Sequence, residues 1–364
     1  MQILIKGMGL IGSSLALAIK EDHPAANLIG MDLNQDSLNY ALRHGVVDGI
    51  TDNFNETAQK ADVIILACPV QTIIKDLAVL AELPLKPNVI VTDVGSTKDK
   101  IMDAALPLQQ KGITFIGGHP MAGSHKSGAI AGRANLFENA FYFLVPGHAP
   151  KKTVDMLQEL LTAAHVKWLI IDSKEHDQIV GQISHLPHIV AAALVNETQV
   201  TLAEFPLGLR LAAGGFKSIT RIASSDPQMW TDILSSNSPI LINQLEDYIN
   251  ELSELKEALA DKNLTIIKNF FAAAKVTRDH LGPDQMGSLP NFFDLFLNIP
   301  DRAGAIAKIT KILAEENLSL ININILEMRE EIDGVLQLTF GDLATQKRAD
   351  SILQKAGYQV IRRN

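Results

Sequence analysis

Ile3-Leu-Ile-Lys-Gly7-Met-Gly9-Leu-Ile-Gly12-Ser-Ser14 passes from an apolar run through spaced glycines into an amphipathic segment, Leu10 to Lys20. Alone, a G-x-G-x-x-G spacing is a weak signal. Following a strand and opening a helix, it has the context that a dinucleotide-binding turn requires. Gly7 allows the tight turn, Gly9 lets the backbone approach a pyrophosphate, and Gly12 lets helix and strand pack closely. Leu10 and Ile11 open the helix, whose free N–H groups and positive dipole end suit a phosphate. Asp32 ends the next apolar run, 20 residues after Gly12. A carboxylate there would hydrogen-bond both ribose hydroxyls and repel a 2′-phosphate. Leu33-Asn34-Gln35 follows with no Arg, so NAD is expected over NADP. Asp32 could also cap the next helix, and the two roles are compatible. Pro69, just past the third run, is placed in the same cofactor-binding set as Gly7, Gly9, Leu10, Ile11, Gly12 and Asp32.

Outward from this turn, residues 1–172 alternate short β-branched runs with helix-length segments. The runs are Ile3 to Lys6, Leu28 to Met31, Val63 to Leu66, Val89 to Thr92, Thr114 to Gly117, Phe141 to Val145 and Trp168 to Ile171. Strands apolar on both faces imply a parallel sheet covered on both sides, an α/β Rossmann-like domain. Over 173–285 the strand signal gives way to long helical patterns, such as Leu186 to Leu202 and Ile240 to Leu259. This all-α segment carries few charges in its first half, which favours packing against a partner chain as a homodimer. After the turn residues Gly282, Pro283, Gly287 and Pro290, residues 291–364 read as βαββαβ, a ferredoxin-like unit.

The 364 residues suit two or three domains. Hydrophobic residues make up 47%, charged 20% and aromatic 5%, the profile of a globular protein. No apolar run reaches the length of a membrane span, and the N-terminus lacks the basic region and cleavage site of a secretory signal. A cytoplasmic location without membrane contact is therefore expected. Cys68 is the single cysteine, so neither an intramolecular disulfide nor a Cys-based zinc site is available; a buried structural thiol is expected. The net charge of −9 argues against nucleic acid and requires a local cationic cluster for any anionic substrate.

Two loops carry most of the chemical side chains. Asp93-Val-Gly-Ser96-Thr-Lys98 follows the fourth run, and Gly117-Gly-His119-Pro-Met-Ala-Gly123-Ser124-His125-Lys126-Ser-Gly128 follows the fifth. Ligands of open parallel sheets bind outside the carboxyl ends of the strands, so both loops should face the nicotinamide. His119 is suited there to accept a proton. A lone loop His is more often a surface residue, but its place beside Ser96 in a Gly-rich loop favours function. The helical segment adds Ser184-His-Leu-Pro-His188 and Gly214 to Trp230, with Arg221 among them. Two His and an Arg in an apolar region need partners, which a dianion would supply. The bland alternative for Arg221 is an ion pair with Asp226. A zinc site from His119, His185 and His188 is not expected, since no carboxylate is placed among them.

Together, Gly7 to Ser13, Asp93 to Lys98, Gly118 to Gly128, Ser184 to His188 and Gly215 to Ala223 resemble the prephenate dehydrogenase family over residues 1 to about 285. The tail resembles an ACT domain, with Asn298-Ile-Pro-Asp301-Arg-Ala-Gly304 at its strand-to-helix loop and Ala303 where Pro is common. The resemblance implies NAD-dependent oxidative decarboxylation of prephenate. His119 would take the ring hydroxyl proton, with Ser96 orienting it, and Arg221 would bind the ring carboxylate. Ser184 and His188 would hold the side-chain end, with Ser124, His125 and Trp230 bordering the pocket. Some members carry Glu at the position of His125. Asn298, Asp301 and Gly304 would serve regulation by tyrosine.

An arogenate dehydrogenase is the nearest alternative. A 3-hydroxy-acid dehydrogenase is more distant, because Lys217 after Gly214-Gly215 does not fit the Lys-base motif of such enzymes. A redox-inactive NAD sensor is a third.

Overall fold

Ile3, Leu4 and Ile5 are each fully buried, as a strand covered on both faces must be. They lie in β1 (Gln2–Lys6) of a computed structural model that describes residues 1–123, 128–205, 207–279, 293–300, 302–320, 322–329 and 332–361. The chain continues with α1 (Leu10–Asp22), β2 (Asn27–Met31), α2 (Gln35–Arg43), β3 (Gly49–Ile50) and α3 (Phe54–Lys60). Next come β4 (Val63–Leu66), α4 (Val70–Glu82), β5 (Ile90–Asp93), α5 (Asp99–Gln110) and β6 (Thr114–Pro120). β7 (Phe141–Val145), α6 (Lys151–Leu160) and β8 (Lys167–Ile170) complete a sheet of order β3-β2-β1-β4-β5-β6-β7-β8.

All the expected runs become strands, and the two-residue β3 is added at the edge. The expected fully parallel sheet is corrected at one pair: β6 and β7 are antiparallel, with His119 opposite Phe143. A parallel neighbour needs a long crossover, usually a helix on the sheet face. Among its described residues the β6–β7 connection carries 3-10 turns at Ala129–Ala131 and Ala134–Phe137 and no such helix. On one face Leu15, Ile19, Val154 and Leu157 build a core. On the other, Ile73, Leu77, Leu80, Ile101 and Leu108 build a second. Strand order reverses between β1 and β4, and this opens the crevice where a dinucleotide would lie.

α7 (Ser173–Val180), a π-helical turn (Gly181–His185) and α8 (Leu186–Thr201) follow end to end. Pro187, in the first turn of α8, has no N–H and would crowd a regular preceding turn; the wider π turn relieves this. Against the expectation of no such stretch, Ser173–Thr201 is long and apolar enough, by length and composition, to cross a membrane. α9 (Gly214–Thr220), α10 (Pro227–Ser236), α11 (Ser238–Ala260) and α12 (Leu264–Asp279) complete the helical region.

The chain divides into two compact units, Met1–Glu251 and Leu252–Asn364, with the division inside α11. The second unit also holds β9 (Phe293–Ile299), α13 (Ala305–Glu315), β10 (Asn322–Arg329), β11 (Ile332–Phe340) and α14 (Leu343–Lys355). Its antiparallel sheet has the order β10-β11-β9, over a core of Leu295, Leu297, Ile309, Leu313, Leu336, Leu338 and Leu353. The strand expected at the end of the chain is reduced to a bridge between Val360 and Leu297. Gly357 (φ +87) turns the chain out of α14. Among the described residues the Asn298 N–Gln359 O and Ile361 N–Phe296 O backbone bonds, with an Asn298–Gln359 side-chain bond, then tie it to β9.

Candidate active site

The glycines divide by what a side chain would meet. A Cβ on Gly7 (φ +100) would lie 2.2 Å from the Ala67 carbonyl oxygen, and one on Gly12 1.9 Å from that of Gly7. Both positions are set by close backbone packing. A Cβ on Gly9 would meet nothing within 4 Å among the described residues, so the missing side chain leaves room in front of the α1 N-terminus. Gly9 is the N-cap of α1 and makes no side-chain cap, and the first turn holds no acidic residue. Uncapped N–H groups beside open space fit a pyrophosphate. Leu10 and Ile11 are half-buried in that first turn, and Pro69 is exposed at the start of α4.

Asp32 accepts the Met8 amide at 2.6 Å and the Asn34 amide at 2.7 Å. The capping role weighed for Asp32 belongs to Asn34, whose side chain accepts the Ser37 amide. Cys68 is half-buried rather than buried, and its thiol donates to Asp76 at 3.7 Å. Burial pushes the thiol pKa up, which leaves it protonated and unreactive.

His119 stands near the carboxyl end of β6 and is buried. Its Nδ1 lies 2.9 Å from His176 Nε2, and His176 Nδ1 lies 2.7 Å from the Asp177 carboxylate. Asp177 also accepts the amides of Lys98 at 2.7 Å and Asp99 at 2.9 Å, which ties α7 to the loop after β5. The Lys98 ammonium is fully buried, pairs with Asp93 and donates to the Gly118 carbonyl at 2.7 Å. Asp93 in turn accepts the Gly118 amide at 3.1 Å. The backbone before His119 is thus fixed by a buried ion pair. Burial, then the positive field of His176, Lys98 and His185, holds the His119 pKa well below the usual imidazole value. Burial likewise lowers the His176 pKa, against the opposing pull of Asp177, so the imidazole that meets Asp177 is neutral at pH 7. Ser96 lies half-buried in the turn between Asp93 and Lys98.

The helical residues form a contiguous second group. Asn237 donates to the Asp177 carbonyl at 3.0 Å, and its amide nitrogen lies 3.3 Å from His185 Nδ1. His185 meets Trp230 edge-on, with ring centroids 5.9 Å apart, and Trp230 stacks on His188 at 3.8 Å. His188 Nδ1 donates to the Ser184 carbonyl at 2.8 Å. Burial lowers the His188 pKa, and Arg221 lowers it further, which puts Arg221 within electrostatic reach. Burial pushes His185 down to about 4, and Asn237 satisfies it as a core histidine. Trp230 Nε1 is buried without a hydrogen-bond partner among the described residues.

Arg221, expected to be buried against a partner, is exposed. The weighed ion pair with Asp226 does not form; Asp226 caps α10 by accepting the Met229 amide at 2.7 Å. Ser124, His125 and Asp301 lie outside the described residues. Asn298 sits within β9 rather than in the loop after it, and its side-chain amide donates to Gln359 at 3.4 Å. Gly304 (φ +85) caps α13, a left-handed position that favours glycine. Sequence reasoning missed His176, Asp177 and Asn237. One signal was available: His176, Asp177, Val180 and Gly181 share a helix face at i, i+3 and i+4 spacing, and all are buried.

The family model for the prephenate dehydrogenase nucleotide-binding domain matches residues 15–170, and that for its dimerization domain matches residues 172–273. The chain belongs to the prephenate dehydrogenase family. A prephenate dehydrogenase of Bacillus subtilis is 42% identical over 99% of this chain and 97% of its own length. Among solved structures, the prephenate dehydrogenase of A. aeolicus in complex with hydroxyphenyl propionate and NAD+ is 30% identical with a TM-score of 0.69. It covers 77% of this chain and 98% of its own. The arogenate dehydrogenase of Synechocystis is 32% identical with a TM-score of 0.65, over 78% and 100% of the two chains. As in a family with a dimerization domain, the matched helical region exposes Ile183, Val200, Phe205, Leu207, Leu211 and Ile219.

Proposed function

We infer that this protein is an NAD-dependent prephenate dehydrogenase that forms 4-hydroxyphenylpyruvate, CO2 and NADH. The observation that carries this reading is His119, buried and held neutral near the carboxyl end of β6, in a chain whose residues 15–170 match the nucleotide-binding domain of the family. Bound in the crevice between β1 and β4, NAD supplies the hydride acceptor. Loss of a hydride from the ring carbinol carbon, with the hydroxyl proton, makes a ketone. Loss of the ring carboxylate as CO2 then sends its electron pair through the diene to that oxygen, and the ring becomes aromatic.

His119 accepts the hydroxyl proton and can return it to the phenolate oxygen. Ser96 orients the hydroxyl. Arg221, with no ion pair among the described residues, grips the ring carboxylate. Ser184, His188 and Trp230 hold the side-chain end, and Ser124 and His125 border the pocket. Asp32 and the glycine loop, with Leu10, Ile11 and Pro69, carry the dinucleotide. The exposed apolar side chains of the helical region, Val200, Phe205 and Leu211 among them, would be covered in a homodimer, which supports that assembly.

Residues 291–364 serve as an ACT-like domain that binds tyrosine and slows the reaction. The order βαββα with a closing bridge supports this reading. Calorimetry of the full chain with tyrosine tests it: heat of binding with inhibition is expected, and neither would make the tail structural.

Rates of reduced-nucleotide formation from prephenate and from arogenate, each with NAD and with NADP, test the main reading. Prephenate with NAD should give the highest kcat/KM. A preference for arogenate would reassign the substrate, and no product from either would reject catalysis.

A further inference from the structure

Three donors converge on Asp177, and one of them begins a chain that ends at His119. An ionised carboxylate can only accept hydrogen bonds. His176, 2.7 Å away, must therefore present a proton on Nδ1. A neutral imidazole carries one proton, so His176 Nε2 holds a lone pair. His119 Nδ1, 2.9 Å from that lone pair, must carry the proton of the contact. The proton of neutral His119 is then on Nδ1, and Nε2 is left unprotonated.

We propose that His176 and Asp177 are positioning residues that fix His119 in the tautomer whose Nε2 is free to accept the substrate proton. This rests on His119 being the base. His176 is suited to the task because it has no freedom of its own. It is fully buried, and the Phe143 ring meets it edge-on at 5.0 Å and 89°. Asp177 is equally fixed, by the backbone amides of Lys98 and Asp99. When His119 takes up a proton, its Nδ1–H still points at His176 Nε2, and the Asp177 charge one ring away favours the cation that forms. The relay needs no proton transfer along its length. An unconstrained imidazole would instead divide itself between two tautomers, the commoner of which carries its proton on Nε2 and cannot act as the base.

The first test is the nitrogen spectrum of the full-length protein with 15N-labelled histidine, without substrate. The His119 signals are identified by their loss in His119→Asn. Nε2 should resonate as an unprotonated nitrogen and Nδ1 as an N–H; the reverse assignment overturns the proposal. The second test compares two variants. His176→Leu fills the space but offers no acceptor, and kcat should fall about 10–100-fold with little change in NAD affinity. His176→Gln can accept from His119 through Oε1 and donate to Asp177 through Nε2, so it should recover most of kcat. Equal kcat in wild type and the folded Leu variant, or no rescue by a folded Gln variant, overturns the proposal. Should the Leu variant not fold, the wild-type spectrum still decides. Failure of His119 as the base would show separately, as retained turnover in His119→Asn.

Discussion

Met8 donates its backbone amide to the Asp32 carboxylate at 2.6 Å, so the group that would face the ribose also holds the glycine loop in place. Asp32→Asn removes the charge and one of the two acceptors. Affinity for NAD should fall about 10–100-fold, the value of one or two hydrogen bonds to a charged group. The preference for NAD over NADP should narrow as the repulsion of a 2′-phosphate is lost. Fluorescence titration with both nucleotides checks this, and unchanged affinities would free Asp32 from the role.

Gly9 and Gly12 should respond differently to the same added methyl. In Gly9→Ala the Cβ enters open space, so Tm should hold while NAD affinity drops. In Gly12→Ala the Cβ lies 1.9 Å from the Gly7 oxygen, so the helix must move and Tm should fall. Thermal melts paired with nucleotide titrations separate the two. Equal loss of Tm in both would mean that the room in front of α1 has no bearing on the ligand.

The Rossmann-like half was legible because two independent signals agree there: strands apolar on both faces, and glycines at spacings fixed by backbone contact. Strand direction was not. Phe141 to Val145 has the same pattern whichever way it runs, and its pairing antiparallel to the strand of His119 is not encoded in that pattern. His119 and Asp32 could be placed because each stands at the end of a run. His176 and Asp177 were missed because Ser173-Lys-Glu-His-Asp177 reads as the polar first turn of a solvated helix, which masks their spacing to Val180 and Gly181. The Asp172 cap strengthens that impression, as its side chain accepts the amides of Lys174 and Glu175. Arg221 was placed by its chemistry alone, and its exposure depends on packing that hydropathy does not encode.

Stability should fall as pH drops from 7 toward 5. Burial lowers the pKa values of His119, His176 and His185 in the folded chain, His185 to about 4. In the unfolded chain all three titrate near 6.5. Below that pH the unfolded state binds protons that the folded state refuses, and the balance shifts toward unfolding. The lowered His119 pKa also places the acid limb of kcat/KM below pH 6.5. Melting curves and rate profiles over pH 5–8 check both. A flat Tm, or an acid limb above pH 7, would contradict them.

Arg221 is exposed, and its charge reaches His188. Arg221→Ala should raise the KM for prephenate about 10–100-fold, as expected when a charge-assisted pair is lost, and change kcat less. Steady-state kinetics at saturating NAD measure the split. An unchanged KM would reject the carboxylate clamp.

Turnover of His119→Asn at saturating prephenate and NAD tests the chemistry most directly. The side chain is shortened and its basic nitrogen removed, while the nucleotide crevice is untouched. kcat should fall by about two to four decades, the usual contribution of a well-placed base, with NAD affinity close to wild type. Turnover near wild type in this variant would mean that the proton leaves by another route.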